Sequence, residues 1–299
     1  MIGLSGKLVL NGMSDSFHQS VSNTNLSKLV IGTMRLADKF LTISQTRNLF
    51  KTAIDRNIDS FHISHEYSSY DLVCKAFKLL NNVDRDEVKI IAKLPEPHFD
   101  KCLFSKVKIE ENIDSILAST SLDRIDVAQW MWRLNPLNDE LRINRTNDQL
   151  FEIKDTFERL IISGKVRNII CFPYSSAYMK FIREFDLCNF HVNYLNFWED
   201  PLIDGGIGEN SIALRPLGSG KVFQLSPDDV LKINEVTKTE ASCALEHCIR
   251  FPLSHKNISS IVVGINSVSQ LDQIADIVDC TEHNMSLFES YRDLIGVFD

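Results

Sequence analysis

Two short stretches of the sequence carry side chains that could move protons. In SFHISHEYSS (60–69) an apolar run leads through His62 and His65 to Tyr67, and in KIIAK a second apolar run ends at Lys93. A phenol, with an ordinary pKa of about 10, donates protons well at neutral pH only when a neighbouring positive charge helps it. A lysine that closes an apolar strand is costly without an anionic partner. We therefore expect an anion beside Lys93, either Glu66 or a group of a bound ligand.

The two histidines of the first stretch allow two kinds of chemistry. They could bind a metal, but residues three apart on a strand face opposite sides, and no cysteine or carboxylate cluster joins them in the sequence. We therefore predict no metal site. His62 is expected to fill the site as a neutral, hydrogen-bonded imidazole. The alternative is a general acid that works with Tyr67, because histidine titrates near neutrality.

Eight short apolar runs are candidates for the strands that position these side chains. Most of them are nearly continuous, as expected for parallel strands that are buried on both faces. They are residues 28–34, 60–64, 88–94, 126–132, 166–172, 190–197, 212–217 and 259–265. Amphipathic helical patterns fill the intervals. In one of them the predicted apolar face comprises Leu150, Phe151, Ile153, Phe157, Leu160 and Ile161.

This alternation predicts an α/β fold, a (β/α)8 TIM barrel with a short N-terminal β-hairpin that includes GKLVLNG (6–12). A doubly wound sheet is the runner-up, but the first strand is followed by GTMRLADKF and not by a GxGxxG loop. We expect a single domain over residues 1–299, with 199–211 as a loop over the mouth of the barrel. Chemistry in such a barrel lies at the C-terminal ends of the strands, which is where Tyr67 and Lys93 fall.

Composition narrows the class of protein. The chain of 299 residues has a net charge of -8, which argues against a nucleic-acid partner. Its seven cysteines are scattered and include no CxxC pair, a pattern typical of reduced thiols. No apolar run approaches the roughly 20 residues that cross a bilayer, and the N-terminus lacks the apolar core of a signal peptide. We expect a soluble cytoplasmic protein without a membrane partner.

Seven segments, in order, give the chain a resemblance to the aldo/keto reductase family over about residues 28–280. They are GTMRL, IDSFHISHEYSS, VKIIAKLP, LDRIDVAQWMW, LIISGKVRNIICF, ALRPLGSGKV and ISSIVVGINSVSQLDQ. The resemblance implies a barrel enzyme that transfers hydride from NADPH or NADH to the carbonyl of a small molecule. It leaves open which of the two cofactors is used, and whether the substrate is sugar-like.

The family's chemistry uses a tyrosine, a lysine, an aspartate and a histidine. The resemblance places Tyr67 at the proton-donating tyrosine and Lys93 at the lysine that lowers its pKa. The aspartate, which orients the lysine, is replaced by His62. The histidine, which orients the carbonyl, is replaced by Met131, or by Trp132 if the strand is shifted by one residue.

The cofactor positions implied by the resemblance depart from the family pattern as well. The Ser-Asn pair that binds the nicotinamide amide is Phe172-Pro173 here, and the glutamine that assists it aligns with His191. A backbone turn from Leu217 to Gly220 could supply N–H groups to a phosphate, with Arg215 and Lys221 as the nearby cations. The full set of candidate cofactor-binding residues is Gly32, Thr33, His191, Tyr194, Pro216, Leu217, Gly218, Ser219, Gly220, Gly264, Asn266 and Gln270.

Three functions remain open from the sequence. The first is a divergent NAD(P)H-dependent oxidoreductase that uses Tyr67 and Lys93. The second is a catalytically inactive barrel, a pseudoenzyme that serves as a binding or scaffold protein, because several polar contacts to a cofactor are lost. The third is proton transfer on a small sugar-like or carbonyl substrate, with His62 and Tyr67 as acid and base. The sequence does not fix the oligomeric state.

Overall fold

The computed structural model of the protein describes residues 25–95, 104–130, 138–171, 175, 177–178, 180–181, 189–192, 210–295 and 297. The predicted hairpin strand at 6–12 lies outside these residues, as does most of the predicted mouth loop. Asn210 is a turn residue, and Ser211 already belongs to the seventh strand.

Eight strands follow one another around a closed barrel, and each pairs in parallel with its neighbours in the chain. The first strand closes the ring by pairing with the eighth, with Gly32 opposite Gly264. The predicted (β/α)8 barrel is therefore confirmed. The strands are β1 (Leu29–Gly32), β2 (Ser60–Ser64), β3 (Lys89–Lys93), β4 (Ile125–Trp130), β5 (Val166–Cys171), β6 (Asn189–Val192), β7 (Ser211–Leu214) and β8 (Ile258–Gly264).

Helices connect the strands on the outside of the barrel. Seven of the ten described helices start at a residue whose side chain caps the helix, and at the first helix Thr42 and Gln45 bond reciprocally to each other's backbone. The helices are α1 (Ile43–Asp55), α2 (Tyr70–Lys78), α3 (Asn82–Glu87), α4 (Lys106–Thr120), α5 (Asp139–Asp148), α6 (Leu150–Ile162), α7 (Pro227–Thr237), α8 (Ala244–Ser254), α9 (Val268–Asp279) and α10 (Met285–Arg292). Short 3-10 helices cover Ala37–Lys39 and Gly218–Gln224.

The barrel separates two apolar cores, as the alternation of side chains along its strands requires. The larger core lies between the sheet and the helices. The smaller one fills the barrel with Val30, Ile91, Val127, Ile170 and Ile212. Two residues further along β3 and β4, the same inner face carries Lys93 and Gln129. The apolar plug of the barrel thus gives way to polar side chains at the C-terminal end.

Two details of the sequence prediction were wrong. Phe151 does not belong to the buried face of α6, since its side chain is 85% exposed. It points more than a quarter turn away from Ile153, Phe157 and Leu160, which form that face. The seventh strand ends at Leu214 rather than at 217, because Arg215 adopts a left-handed backbone with φ 55° that cannot continue a strand.

Candidate active site at the mouth of the barrel

Tyr67 is fixed in the turn that links β2 to α2. Its amide donates to the carbonyl of Ser64 at 3.1 Å, and its own carbonyl accepts from the amide of Tyr70 at 2.9 Å. The preceding strand buries all five of its residues and directs His62 into the barrel, two residues before the strand ends. The turn therefore brings the phenol back over the strand end, close to His62.

His62 joins Tyr67 to the inner face of β4. One ring nitrogen, Nε2, lies 2.7 Å from Oε1 of Gln129, and the other, Nδ1, lies 3.3 Å from the hydroxyl oxygen of Tyr67. Both His62 and Gln129 are buried. The predicted hydrogen-bonded imidazole is thus confirmed.

The environment of His62 also fixes its charge. Burial is the main cause that lowers its pKa to about 4; the hydrogen bond to Gln129 opposes the shift, and the positive charge of Lys93 adds to it. His62 is therefore neutral at pH 7. The alternative role, a cationic general acid near neutral pH, is not supported by this environment.

Lys93 pairs with a carboxylate from a neighbouring loop. Its ammonium contacts Oε2 of Glu66, and the side chains of the two residues are only 14% and 33% exposed. The expected anion beside Lys93 is therefore Glu66. In the family pattern the lysine's carboxylate comes from the strand position that is His62 here. This chain supplies the negative charge four residues later, from the turn after β2.

An open cavity of about 450 Å³ lies beside Tyr67. Its walls come from the segments after β1 and β2, which are at the C-terminal end of the barrel. The lining residues are Met34, Arg35, Asp38, Glu66, Tyr67 and Ser68. Tyr67 and Glu66, the ion-pair partner of Lys93, thus line space that a small molecule could occupy.

Buried hydrogen bonds tie the two cavity walls together. The amide and the hydroxyl of Thr33 both donate to the carbonyl of His62, at 3.2 and 2.8 Å. The hydroxyl of Ser69 donates to the carbonyl of Thr33 at 2.6 Å. Thr33 is one of the candidate cofactor-binding residues, but its hydroxyl hydrogen is donated to β2 and holds the end of β1 against that strand.

Glycines mark the closest approach of β1 and β8. A Cβ atom at Gly32 would lie 3.2 Å from the carbonyl oxygen of Val263 and 3.3 Å from the amide of Gly264. At Gly264 the nearest atom would be 4.0 Å away, and this residue is exposed. Gly32 and Gly264 therefore bring no side chain of their own to the rim of the barrel, where the resemblance places part of the cofactor.

In the turn after β7, some backbone amides donate hydrogen bonds to carbonyls of the same turn. The amides of Gly218 and Gly220 donate to the carbonyls of Arg215 and Leu217, at 3.0 and 2.9 Å. Contrary to the expectation from the sequence, these two amides are therefore not free for a phosphate. Pro216 is buried beside them, whereas the cationic side chains of Arg215 and Lys221 are exposed.

Two of the candidate cofactor-binding residues, Asn266 and Gln270, lie at the start of α9. Ser267 caps this helix through the amide of Gln270, and Oε1 of Gln270 accepts from the amide of Asn266 at 3.1 Å. The side chain of Gln270 is exposed. Neither candidate brings a positive charge to this position.

Several candidate positions fall outside the described residues. These are Met131, Trp132, Phe172, Pro173, Tyr194 and the side chain of Ser219. For His191 the structure describes the backbone, which pairs with Ile212 between β6 and β7.

Sequence analysis missed Gln129, which holds the buried imidazole. A signal was present, because Gln129 is a polar residue inside the otherwise apolar run VAQWMW (127–132). A buried carboxamide needs hydrogen-bond partners. Its partner could not be inferred, because the sequence does not give the register that sets Lys93 opposite Gln129 and His62 opposite Ile91.

His62 and His65 do not act together. The ring of His65 packs against that of Tyr70, with 4.3 Å between centroids, while His62 points into the barrel. Among the described residues, no group of three or more His, Cys, Asp or Glu side chains is arranged to hold a metal ion. Within the same part of the chain, no helix combines the length and apolarity needed to cross a membrane.

Comparisons with known proteins agree with this geometry. No curated protein matches the chain. Among the solved structures that share the fold are three with 15–16% sequence identity, which is evidence for the fold alone. An aldo-keto reductase from Bacillus halodurans in its holo form has 16% identity and a TM-score of 0.65, with 90% of this chain and 92% of that chain covered. A putative 2,5-diketo-D-gluconic acid reductase B has 15% identity and a TM-score of 0.64, with coverage of 92% and 90%.

The third structure is an aldo-keto reductase from Klebsiella pneumoniae in complex with NADPH. It has 16% identity and a TM-score of 0.65, and the match covers 89% of this chain and 92% of that chain. The sequence model of the aldo/keto reductase family matches residues 28–203, which is more than half of the chain. The chain therefore belongs to the aldo/keto reductase family.

Proposed function

We propose that this protein is an NAD(P)H-dependent oxidoreductase that reduces the carbonyl group of a small molecule, with Tyr67 as the proton donor. The observation that carries the proposal is the position of Tyr67. Its phenol lines a cavity of about 450 Å³ and contacts the buried ring of His62, while the Lys93–Glu66 ion pair lies beside the same site. Family membership and fold support this class of reaction.

The residues around the mouth fit a dinucleotide in part. The rim at Gly264 offers open space for an extended ligand. Arg215 and Lys221 are exposed cations that would bind the phosphates, and Asn266 and Gln270 would contact the adenosine end. The bound nicotinamide would supply the hydride.

The chain's own side chains then handle the proton. Tyr67 gives its hydroxyl proton to the oxygen of the reduced carbonyl and is left as a phenolate. The ammonium of Lys93 stabilises that negative charge, because a nearby positive charge favours the ionised form of a phenol. Glu66 compensates the charge of the largely buried Lys93 and holds its ammonium in place.

The cavity favours a small, polar substrate. Its lining combines Arg35, Asp38 and Glu66 with the phenol of Tyr67 and the hydroxyl of Ser68. Such a surface suits a carbonyl compound with several hydroxyl groups, as in sugars. We further propose one barrel domain over residues 1–299 in the cytoplasm, where the free cysteines Cys74, Cys171, Cys243, Cys248 and Cys280 stay reduced.

Titration of the purified protein with NADPH and with NADH, followed by nicotinamide fluorescence, tests the cofactor part. We expect saturable binding that is weakened when Arg215 and Lys221 are both replaced by Met. Lys232→Met is the matched control, because this exposed lysine lies on α7 and pairs with Asp229. No binding at millimolar cofactor would refute the proposal.

A catalytically inactive barrel that binds ligands or partners is the second candidate. One observation favours it: the hydroxyl of Tyr67 already has a hydrogen-bond partner in the neutral ring of His62. The discriminating result would be cofactor binding without turnover on a broad panel of aldehydes and ketones.

A further inference from the structure

We propose that Gln129 is a positioning residue that holds His62 in its Nε2–H tautomer and thereby turns the hydroxyl hydrogen of Tyr67 toward the interior of the barrel. The tautomer itself follows from contacts among the three side chains. Its consequence for the reaction rests on the proposed function.

The three side chains form a chain of hydrogen bonds. Nε2 of His62 lies 2.7 Å from the carboxamide oxygen of Gln129, and Nδ1 lies 3.3 Å from the hydroxyl of Tyr67. A carboxamide oxygen accepts but does not donate, so the hydrogen of the first bond is on Nε2. A neutral imidazole carries one N–H group. Nδ1 is therefore an acceptor, and the hydrogen of the second bond comes from Tyr67.

Burial requires that the hydrogen bonds of His62 and Gln129 be satisfied by other protein groups. His62 is 6% exposed and Gln129 is 1% exposed, so water does not replace a lost hydrogen bond. A second proton on the ring is opposed by burial and by the charge of Lys93, which together lower the pKa of His62. The ring is thus neutral, and the partner of Nε2 decides which nitrogen carries the hydrogen.

The tautomer decides what Tyr67 presents to the cavity. When the hydroxyl of Tyr67 donates its hydrogen bond to Nδ1 of His62, the phenol offers only oxygen lone pairs to a ligand. It then accepts a hydrogen bond from a ligand hydroxyl, and it must break its bond to His62 before it can protonate an alkoxide. The opposite tautomer, with Nδ1–H, would donate to the oxygen of Tyr67 and leave the phenol hydrogen for the ligand.

Nitrogen-15 NMR of protein labelled at histidine tests the tautomer directly, without any need for turnover. Protonated and unprotonated ring nitrogens have well separated chemical shifts, and the His62 signals among the eight histidines are assigned by their loss in His62→Gln. We expect Nε2–H and a bare Nδ1 in the wild-type protein. A wild-type spectrum with Nδ1–H at His62 would overturn the proposal, even if no Gln129 variant folds.

Variants at Gln129 test the cause. Gln129→Met removes the acceptor and would leave a buried N–H unpaired, so we expect the Nδ1–H tautomer to become populated. Gln129→Glu keeps an acceptor oxygen and should retain Nε2–H. An unchanged tautomer in Gln129→Met would contradict the proposal.

His247 provides an internal control. It is buried, and its Nδ1 lies 3.0 Å from the hydroxyl of Tyr291 in the contact between α8 and α10. This second imidazole–phenol pair should keep its signals in every Gln129 variant. Failure of the proposed function would appear separately, as a protein with the expected tautomer but without carbonyl reduction.

Discussion

Lys93 and Glu66 form an ion pair that joins the end of β3 to the turn after β2. The pair is largely sheltered, since the lysine side chain is 14% exposed. The counter-ion of Lys93 thus comes from the turn after β2, and the β2 position where the family pattern has a carboxylate holds the neutral imidazole of His62. A site that looks incomplete in the sequence keeps its cation and its counter-ion in space.

Replacing Glu66 by Gln should weaken both stability and activity. The change leaves a mostly buried ammonium without its counter-ion, which costs on the order of 1–3 kcal/mol. We expect a lower urea midpoint, and a kcat/KM for carbonyl reduction that falls by roughly tenfold or more. Asp114→Asn is the matched control, because the Lys165–Asp114 pair is 41% and 56% exposed and should contribute little.

A second carboxylate should rescue that variant if the negative charge is what matters. His62→Asp combined with Glu66→Gln returns a carboxylate to β2, where the family pattern has it. We expect the double variant to recover part of the activity that Glu66→Gln loses, measured as kcat/KM with the same substrate. A double variant that is less active than Glu66→Gln would show that the carboxylate works only from the turn.

The stability of the fold should fall with decreasing pH because of two buried histidines. Burial lowers the pKa values of His62 and His247 to about 4 in the folded state, against 6.5 for the ordinary group. Between these values the unfolded chain binds protons that the folded chain does not, so unfolding takes protons up. The stability due to each histidine is complete above pH 6.5 and is lost as the pH falls toward 4, by roughly 3 kcal/mol.

Urea unfolding at a series of pH values measures this loss. His62→Gln should remove the one proton that His62 takes up on unfolding. The slope of the unfolding free energy against pH should then fall by at most about 1.4 kcal/mol per pH unit. His247→Gln should do the same, independently. If His62→Gln has the wild-type slope between pH 4 and 6.5, then His62 is not held neutral by the fold.

The glycine pair between β1 and β8 should respond asymmetrically to alanine. At Gly32 a Cβ atom meets the backbone of Val263 and Gly264 at 3.2 and 3.3 Å, so the strands must move apart. We expect Gly32→Ala to lower the unfolding free energy by about 1–3 kcal/mol. Gly264→Ala is the matched control, since its nearest atom is 4.0 Å away. Equal urea midpoints for the two variants would contradict the close approach.

The fold could be predicted from the sequence because each strand is a compact apolar run with helical intervals. The predicted strand 60–64 coincides with β2, and the run 88–94 exceeds β3 by one residue at each end. The end of the seventh strand was predicted wrongly, because nothing about an arginine indicates the left-handed backbone that Arg215 adopts. Prediction also failed at Phe151 because the apolar residues of 150–161 were assigned to one face, although 100° per residue already places Phe151 away from Ile153, Phe157 and Leu160.

The site was less predictable, since it depends on contacts across the barrel. The need for an anion near Lys93 follows from its burial at a strand end, and Glu66 was a named candidate. The bond between His62 and Gln129 depends on the relative register of β2, β3 and β4, which no local pattern sets. The tautomer that follows from this bond is likewise beyond the sequence.

The role of Tyr67 is tested most directly by the rate of NADPH oxidation with a panel of small aldehydes and ketones. The wild-type protein should reduce at least one of them, and Tyr67→Phe should lose about 100-fold or more in kcat. Tyr70→Phe, at a neighbouring tyrosine that does not line the cavity, should keep the wild-type rate. A Tyr67→Phe protein that reduces carbonyls as fast as the wild type would contradict the assignment of Tyr67 as the proton donor.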